Sequence, residues 1–425
     1  MQSVFETLEE RGFIEQCSDD KLRNLLRNKK ITVYAGFDPT ENSLHLGHLV
    51  PLIALSHFQK AGHKVLLIIG GATGMIGDPS GKSEERNLLS REKVAKNIEG
   101  LKKQMAKYLD FSEDSAPIIL NNDDWISKMT FIDWLRDVGK HFSINYMIAK
   151  ESVKRRLNSD QGISFTEFSY MTMQAFDFLH LFEKFGCLLQ CGGNDQWGNI
   201  TAGIDLIRKQ TRATAFGLTF PLMTTSAGEK FGKSEGNAIW LDPEKTRPWD
   251  FFQYLVRQDD RDVIRLLNIY TFLNKKEIVR LDRSLQSEPE KREAQKALAF
   301  EMTSMVHGES KARELVNAAE IVYQSGVKGI SDDTLSAVFS EAPSFKVSKN
   351  VLEKGIDLVE LLFDSRLVNS KSKGRRLLES GGIYVNNVRI KENFEINKNH
   401  LASESHILIR KGKKDYLLVK VLENR

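Results

Sequence analysis

Cysteine, long apolar runs and net charge are all scarce in this chain, and each shortage narrows what it can be. The three cysteines among 425 residues, Cys17, Cys187 and Cys191, are too few and odd in number for a disulfide framework, so reduced thiols are expected. Cys187 and Cys191 flank a strand-like run and read as core or pocket lining. The longest apolar run, KVLLIIGGATGMIG, is broken by glycines and too short to span a bilayer. The segment MQSVFETLEERGFIEQCSDD is acidic and amphipathic, unlike a signal or transit peptide, which makes the cytoplasm the expected location. Net charge is only +4, yet it is unevenly spread: residues 366–425 hold fourteen Lys and Arg against six Asp and Glu. The basicity therefore belongs to the tail. With 41% hydrophobic residues, a chain of this length can bury a sizeable core and should divide into two to four domains.

The most informative stretch runs from Tyr34 to His48, YAGFDPTENSLHLGH. ITVYAGF before it reads as a buried strand, Asp38, Pro39 and Thr40 carry turn and cap chemistry, and the apolar spacing from Leu44 becomes helical until Gly62. His45 and His48 fall in the first helical turn, where unpaired N–H groups and the helix dipole attract anions. Two imidazoles there suit a polyphosphate, and Gly47 between them would let a flat ring lie against the backbone. No Cys or carboxylate cluster nearby completes a zinc site, so no metal centre is expected. Further on, GGATG follows an apolar strand but does not match GxGxxG, which argues against a dinucleotide site. Asp78 then stands at a strand's carboxyl end among small residues, placed to hold an ammonium group. Residues 90–160 look mostly helical and yield no chemistry.

In FTEFSYMTMQAFDFLHLF, Tyr170, Gln174 and Asp177 share one helical face. Methionine, alanine, leucine and phenylalanine fill most of the other positions, so the helix reads as buried all round and Asp177 is expected to face a polar pocket. GCLLQCGGNDQWGNI ends a strand in a turn where Gly192 and Gly193 permit close approach, Asp195 can accept two ribose hydroxyls, and Gln190 and Gln196 can line the floor. KFGKS, with Lys230 and Lys233, lies in a polar, glycine-rich loop that would read alone as a solvated turn.

HLGH at 45–48 together with KFGKS at 230–234 resembles the paired signatures of class I aminoacyl-tRNA synthetases, and YxxxQxxD narrows the likeness to the bacterial tyrosyl-tRNA synthetases. That resemblance implies an α/β fold: a Rossmann-like domain with a parallel sheet over 1–222, carrying a dimer-forming insertion at about 110–165. A signature loop and α-helical anticodon-side domain would follow over 223–323, then a linker over 324–349 and a small α+β RNA-binding domain over 350–425. It implies ATP, with Mg²⁺, as co-substrate, and L-tyrosine and tRNA as partners of a homodimer. Tyr34 and Asp177 would address the phenol hydroxyl, while Tyr170, Gln174, Asp78 and Gln196 hold the rest of the amino acid. Gly36, Asp38, Gly47, His48, Gly192, Gly193 and Asp195 would hold the nucleotide. Thr40, His45, Lys230 and Lys233 would meet the phosphates, assisted by Lys82 and Arg86 from SGKSEER. Ala35, Cys191 and Asn194 depart from the more usual residues at these places.

The basic tail reads as two short helices and a hairpin turning at Asn386 and Asn387. Lys371, Lys373, Arg375 and Arg376 form one cationic group, and Arg410, Lys411, Lys413 and Lys414 a second. Clustered cations on a small module are a phosphate-backbone footprint, and the module resembles an RNA-binding fold shared with a small-subunit ribosomal protein. Two rivals remain at this stage. A nucleotidyltransferase of the same superfamily would use HxGH but need neither YxxxQxxD nor the tail, whereas a non-catalytic RNA binder would keep the tail and lose the phosphate residues.

Overall fold

Strands TVYAGF and KVLLII are buried along almost their whole length, as strands covered on both faces must be. They lie side by side within the sheet in the computed structural model, which describes residues 2–80, 88–112, 116–158, 162–234, 237–321, 327, 330–340, 342–391, 394–412 and 415–422. The chain makes two compact units, one of Met1–Thr246 with Gln258–Leu298 and one of Arg247–Arg257 with Ala299–Arg425. No helix among the described residues is long and apolar enough to cross a membrane.

The first unit is built on a six-stranded sheet of β1 (Gln16–Cys17), β2 (Thr32–Phe37), β3 (Lys64–Ile69), β4 (Ile118–Asn121), β5 (Cys187–Gly193) and β6 (Phe216–Phe220), in the order β1-β6-β5-β2-β3-β4. All neighbours are parallel except β1, which runs antiparallel to β6. From β2 the chain builds outward on one side through β3 and β4, and on the other through β5 and β6. The switch point thus lies between β2 and β5, where open α/β sheets bind ligands beyond their strand ends. Register places Tyr34 beside Gln190 and Ala35 beside Cys191. All three cysteines are free thiols.

Helices Val4–Glu10 and Lys21–Asn28 flank β1, which completes the sheet edge. One element departs from expectation. The stretch 110–165 begins with a sheet strand, β4, so any inserted segment starts only after Asn121. Asn194, unusual in the sequence, accepts from Gln16 Nε2 at 2.6 Å and Thr219 Oγ1 at 3.1 Å, tying the β5 turn to β1 and β6. A two-residue hairpin, β7 (Lys233–Ser234) and β8 (Asn237–Ala238), follows the sheet.

The second unit contains β9 (Ser344–Ser348), β10 (Ile356–Asp357), β11 (Ile383–Val385), β12 (Val388–Ile390), β13 (Glu395–Ile396), β14 (His406–Lys411) and β15 (Asp415–Leu422). Five of these form a sheet in the order β12-β11-β14-β15-β9. The β11–β12 turn has positive φ at Asn386 and Asn387, the geometry of a type I′ hairpin. Residues 324–349, read from sequence as a linker, hold a helix (Asp332–Val338) and β9, which pairs in parallel with β15. SFKVS is too short for its alternation to announce this, and its partner lies far along the chain. Asp332 pins the helix to this sheet through Ser405 N at 3.0 Å and His406 Nδ1 at 2.8 Å.

Candidate active site

A cavity of about 430 Å³ opens beyond the carboxyl ends of β2 and β5, at the switch point. Its lining includes every candidate ligand residue expected in the first unit, from Tyr34 to Lys233, except Lys82 and Arg86, which lie outside the described residues.

At one part of the wall stand Tyr34 and Asp177, 2% and 4% exposed. Tyr34 comes from β2 and Asp177 from the long helix Phe165–Phe185, which is capped by Ser164 and closed by Gly186 in the left-handed conformation. The Tyr34 hydroxyl is buried without a hydrogen-bond partner among the described residues. Asp177 accepts from Asn122 Nδ2 at 2.9 Å and Trp125 Nε1 at 2.8 Å. Burial pushes its carboxyl up to about 7, against the pull of these two donors. Burial and the neighbouring Asp177 likewise raise the Tyr34 phenol well above its ordinary value, so it stays neutral.

Asn122 and Trp125 come from the stretch in which the sequence disclosed no chemistry. The signal was NDDW directly after the strand IILN, polar residues at the carboxyl end of a parallel strand. Asn122 is further fixed by donating to Thr73 Oγ1 at 2.9 Å and accepting from Ala72 N at 2.8 Å.

Next to this pair lies a group of acceptors. Asp78 is buried and accepts from Ser80 N at 2.9 Å and Gln196 Nε2 at 2.6 Å. Tyr170 donates to Asp38 at 2.7 Å, and Thr73 donates to the other Asp38 oxygen at 2.8 Å. Asp38, placed on the nucleotide side from sequence, is therefore tied directly to Tyr170 of the amino-acid side. Asn199 joins the set by donating to Gln174 at 3.0 Å and Gln196 at 3.2 Å. Desolvation in the cleft and then the Asp78 carboxylate push Asp195 up, and Lys230 draws it back. Carboxylates crowded into a cleft favour a bound cation such as an ammonium group.

The cationic part of the lining comes from two other segments. His45 caps the helix Leu46–Lys60, accepting Gly47 N at Nδ1 over 3.1 Å, while His48 Nδ1 accepts His45 N at 3.2 Å. Each imidazole thus uses Nδ1 as an acceptor, which places its N–H on Nε2. The two rings stack at 3.8 Å. A Cβ on Gly47 would meet the His45 ring at 3.0 Å, so glycine there serves the cap as well as any ligand. Lys230 and Lys233 are exposed at the rim and flank Gly232, whose φ is +84°. A Cβ on Gly232 would lie 2.8 Å from Leu46 Cβ, so this loop can approach the histidine helix only through glycine. Among the described residues no group of three or more His, Cys, Asp or Glu could hold a metal ion.

In the second unit, Lys371, Lys373, Arg375 and Arg376 are all exposed on the helix Lys371–Glu379. Lys371 pairs with Glu360 at 2.7 Å. The two described members of the second cationic group have partners within the unit: Arg410 lies over the Tyr384 ring at 3.7 Å, and Lys411 binds the Leu367 carbonyl and Asp415, each at 3.1 Å. Lys413 and Lys414 lie outside the described residues.

Residues 26–324 match the family model of class I tRNA synthetases (W and Y), and residues 334–419 match the tyrosine–tRNA ligase SYY-like C-terminal domain. The tyrosine–tRNA ligase of Opitutus terrae is 47% identical over 99% of this chain and 100% of its own length. That of Geobacillus kaustophilus is 49% identical over 97% of this chain and 98% of its own. The crystal structure of a C-terminally truncated Aspergillus nidulans mitochondrial tyrosyl-tRNA synthetase superposes with a TM-score of 0.69 at 33% identity, covering 76% of this chain and 95% of that one. With both family models matched in order and full-length relatives at this identity, the chain belongs to the tyrosine–tRNA ligase family of class I aminoacyl-tRNA synthetases.

Proposed function

We propose that this enzyme activates L-tyrosine with ATP and transfers it to the 3′-terminal adenosine of its tRNA, and that the residues of the first-unit cavity do so in the following roles. The observation that carries the reading is the unpartnered Tyr34 hydroxyl beside the buried Asp177, on the wall of a cavity whose rim bears Lys230 and Lys233. A phenol hydroxyl donates to Asp177 and accepts from Tyr34. Phenylalanine leaves the buried Tyr34 hydroxyl unsatisfied, at a cost of roughly 1–3 kcal/mol, and brings no further donor to Asp177 beyond Asn122 and Trp125. Asp78, Tyr170 and Gln174 receive the α-ammonium, with Asp38 and Gln196 holding them in place.

In the first step a tyrosine carboxylate oxygen bonds to the α-phosphorus, and the bond from that phosphorus to the pyrophosphate oxygen breaks. The nucleophile is already ionised, so no general base is required. Alignment and stabilisation of charge on the departing pyrophosphate are what the protein supplies. Thr40, His45, Lys230 and Lys233 take the phosphates, with Lys82 and Arg86 assisting, and Gly36, Gly47, His48, Gly192, Gly193 and Asp195 hold the nucleoside. ATP would enter as its Mg²⁺ complex, the ion screening charge on the phosphates. In the second step a terminal ribose hydroxyl attacks the acyl carbon and AMP leaves. Incubating the protein with labelled tyrosine, ATP and bacterial tRNA tests this. Acid-precipitable tyrosine on the tRNA is expected, and adenylate formed without transfer would refute the second step.

The exposed face of the helix Lys371–Glu379 is the proposed tRNA contact of the second unit. Replacing Lys373, Arg375 and Arg376 together by alanine is expected to weaken tRNA binding and to reduce the slope of log affinity against log salt by about 2–3. Adenylate formation should be unchanged, and an unaltered salt slope would remove these residues from the interface.

Homodimer formation through residues 131–165 is supported by their exposed apolar side chains. Phe131, Ile132, Ile144 and Phe165 are 64%, 67%, 58% and 70% exposed, more than a soluble surface ordinarily leaves uncovered in so short a stretch. Ile132→Asp is expected to shift the protein from dimer towards monomer in light scattering. A variant that remains as dimeric as the parent would place the interface elsewhere. The cytoplasm is the proposed location, where tRNA and ATP are both available.

A further inference from the structure

His45 and Lys233 lie far apart in sequence, yet a catalyst that stabilises one transition state with both must hold them in a fixed relation. We infer that Trp240 is a positioning residue for adenylate formation, bracing His45 and setting the register of the Lys233 hairpin against it. The inference rests on the phosphate roles proposed above for His45 and Lys233. β7 and β8 pair Lys233 with Ala238, and Ile239 N donates to the Gly232 carbonyl at 2.8 Å. The next residue, Trp240, forms an antiparallel bridge with His45. That bridge is flanked by Leu46 N to Ile239 O at 3.1 Å and Leu241 N to Leu44 O at 2.9 Å. One backbone ladder thus runs from Lys233 to His45.

Those backbone bonds are open to any residue at 240; the side chain adds what only an aromatic ring can. The indole meets the His45 ring edge to face, centroids 5.9 Å apart at 67°, while the His48 ring stacks on it. With Nδ1 engaged by Gly47 N–H, the imidazole is held at its face, its edge and one nitrogen, which fixes the direction of Nε2. Lys245 Nζ sits 4.5 Å from the indole centroid and pairs with Glu41 at 3.0 Å, the residue after Thr40. Trp240 N is bound by Thr246 Oγ1 at 3.0 Å. Trp240 therefore links three phosphate-side segments while standing outside the cavity lining. Donors aimed at developing charge accelerate only if oriented beforehand, and a displacement near 1 Å can cost roughly 100-fold.

The test is the split between kcat and KM in tyrosine-dependent pyrophosphate exchange by Trp240→Ala, Trp240→Phe and Lys245→Met, with melting temperatures recorded alongside. Trp240→Ala should lose roughly 10- to 100-fold in kcat, with the KM for tyrosine within about twofold of the parent. Trp240→Phe, which retains a ring edge for His45, should recover most of the loss, and Lys245→Met should fall between. If Trp240→Ala is insoluble, Trp240→Leu takes its place, since it keeps bulk and loses the ring. Unchanged kcat in the alanine or leucine variant overturns the inference, as does a loss that tracks melting temperature and is not rescued by phenylalanine. Lys233→Ala, run in parallel, separates the two levels. If it too keeps full kcat, the phosphate reading itself fails; if it alone loses kcat, only the role of Trp240 does.

Discussion

Asp177→Ala is expected to raise the KM for tyrosine by roughly 30- to 100-fold and to narrow the preference for tyrosine over phenylalanine by a similar factor. The loss corresponds to about 2–3 kcal/mol, the size of a hydrogen bond to a charged acceptor in a desolvated site. The same carboxylate, in its proposed role, is expected to make tyrosine binding depend on pH. Its pKa in the free enzyme is raised to about 7 by burial, and the bound phenol favours the ionised form. Below about pH 7 a proton must leave before the phenol can donate, so affinity should fall about tenfold per pH unit and level off above 7.

Stability runs the other way. A carboxyl whose pKa is higher in the folded than in the unfolded chain contributes most below the unfolded value, near 4, and that contribution is lost as pH rises through about 7. Above pH 7 the buried charge therefore costs a few kcal/mol, which Asn122 and Trp125 already reduce. Asp177→Asn should accordingly melt higher than the parent at pH 8 and no higher at pH 5, while binding tyrosine poorly. A tyrosine affinity flat from pH 5.5 to 8, together with intact discrimination in Asp177→Ala, would dissolve this account of the pocket.

Lys233→Ala is expected to lower kcat for adenylate formation roughly 100-fold or more with little change in tyrosine affinity. Removal of one preorganised charge partner of a transition state costs about 3 kcal/mol or more. Lys233 is exposed, and in its proposed role it meets the charge that develops on the departing pyrophosphate. Ground-state binding of tyrosine, measured by equilibrium dialysis, should stay within twofold. A parallel loss of tyrosine binding and rate would mean that Lys233 supports the amino-acid site rather than the transition state.

What could be read from sequence is what local chemistry determines. The strand, turn and helix around HLGH, the shared face of Tyr170, Gln174 and Asp177, and the glycine-rich turns all follow from short-range periodicity and turn residues, and they line one cavity. Asn122 and Trp125 could not be read that way, because their role appears only once β4 pairs with β3 and brings its carboxyl end beside the long helix. The same reason hid β9, whose partner lies some seventy residues later, and the Asp38 bond to Tyr170. A run of charge in the sequence does not disclose the partners of its members. Lys411 belongs to a basic cluster in sequence, yet in the fold its ammonium is bound by Leu367 and Asp415.

The most direct test of the central claim is ATP–pyrophosphate exchange without tRNA, run with tyrosine, phenylalanine and tryptophan in separate reactions. Exchange with tyrosine and background rates with the other two are expected, since only tyrosine satisfies both Tyr34 and Asp177. Exchange of comparable rate with phenylalanine, or none with any of the three, would contradict the claim that this cavity forms an aminoacyl adenylate by reading a phenol hydroxyl.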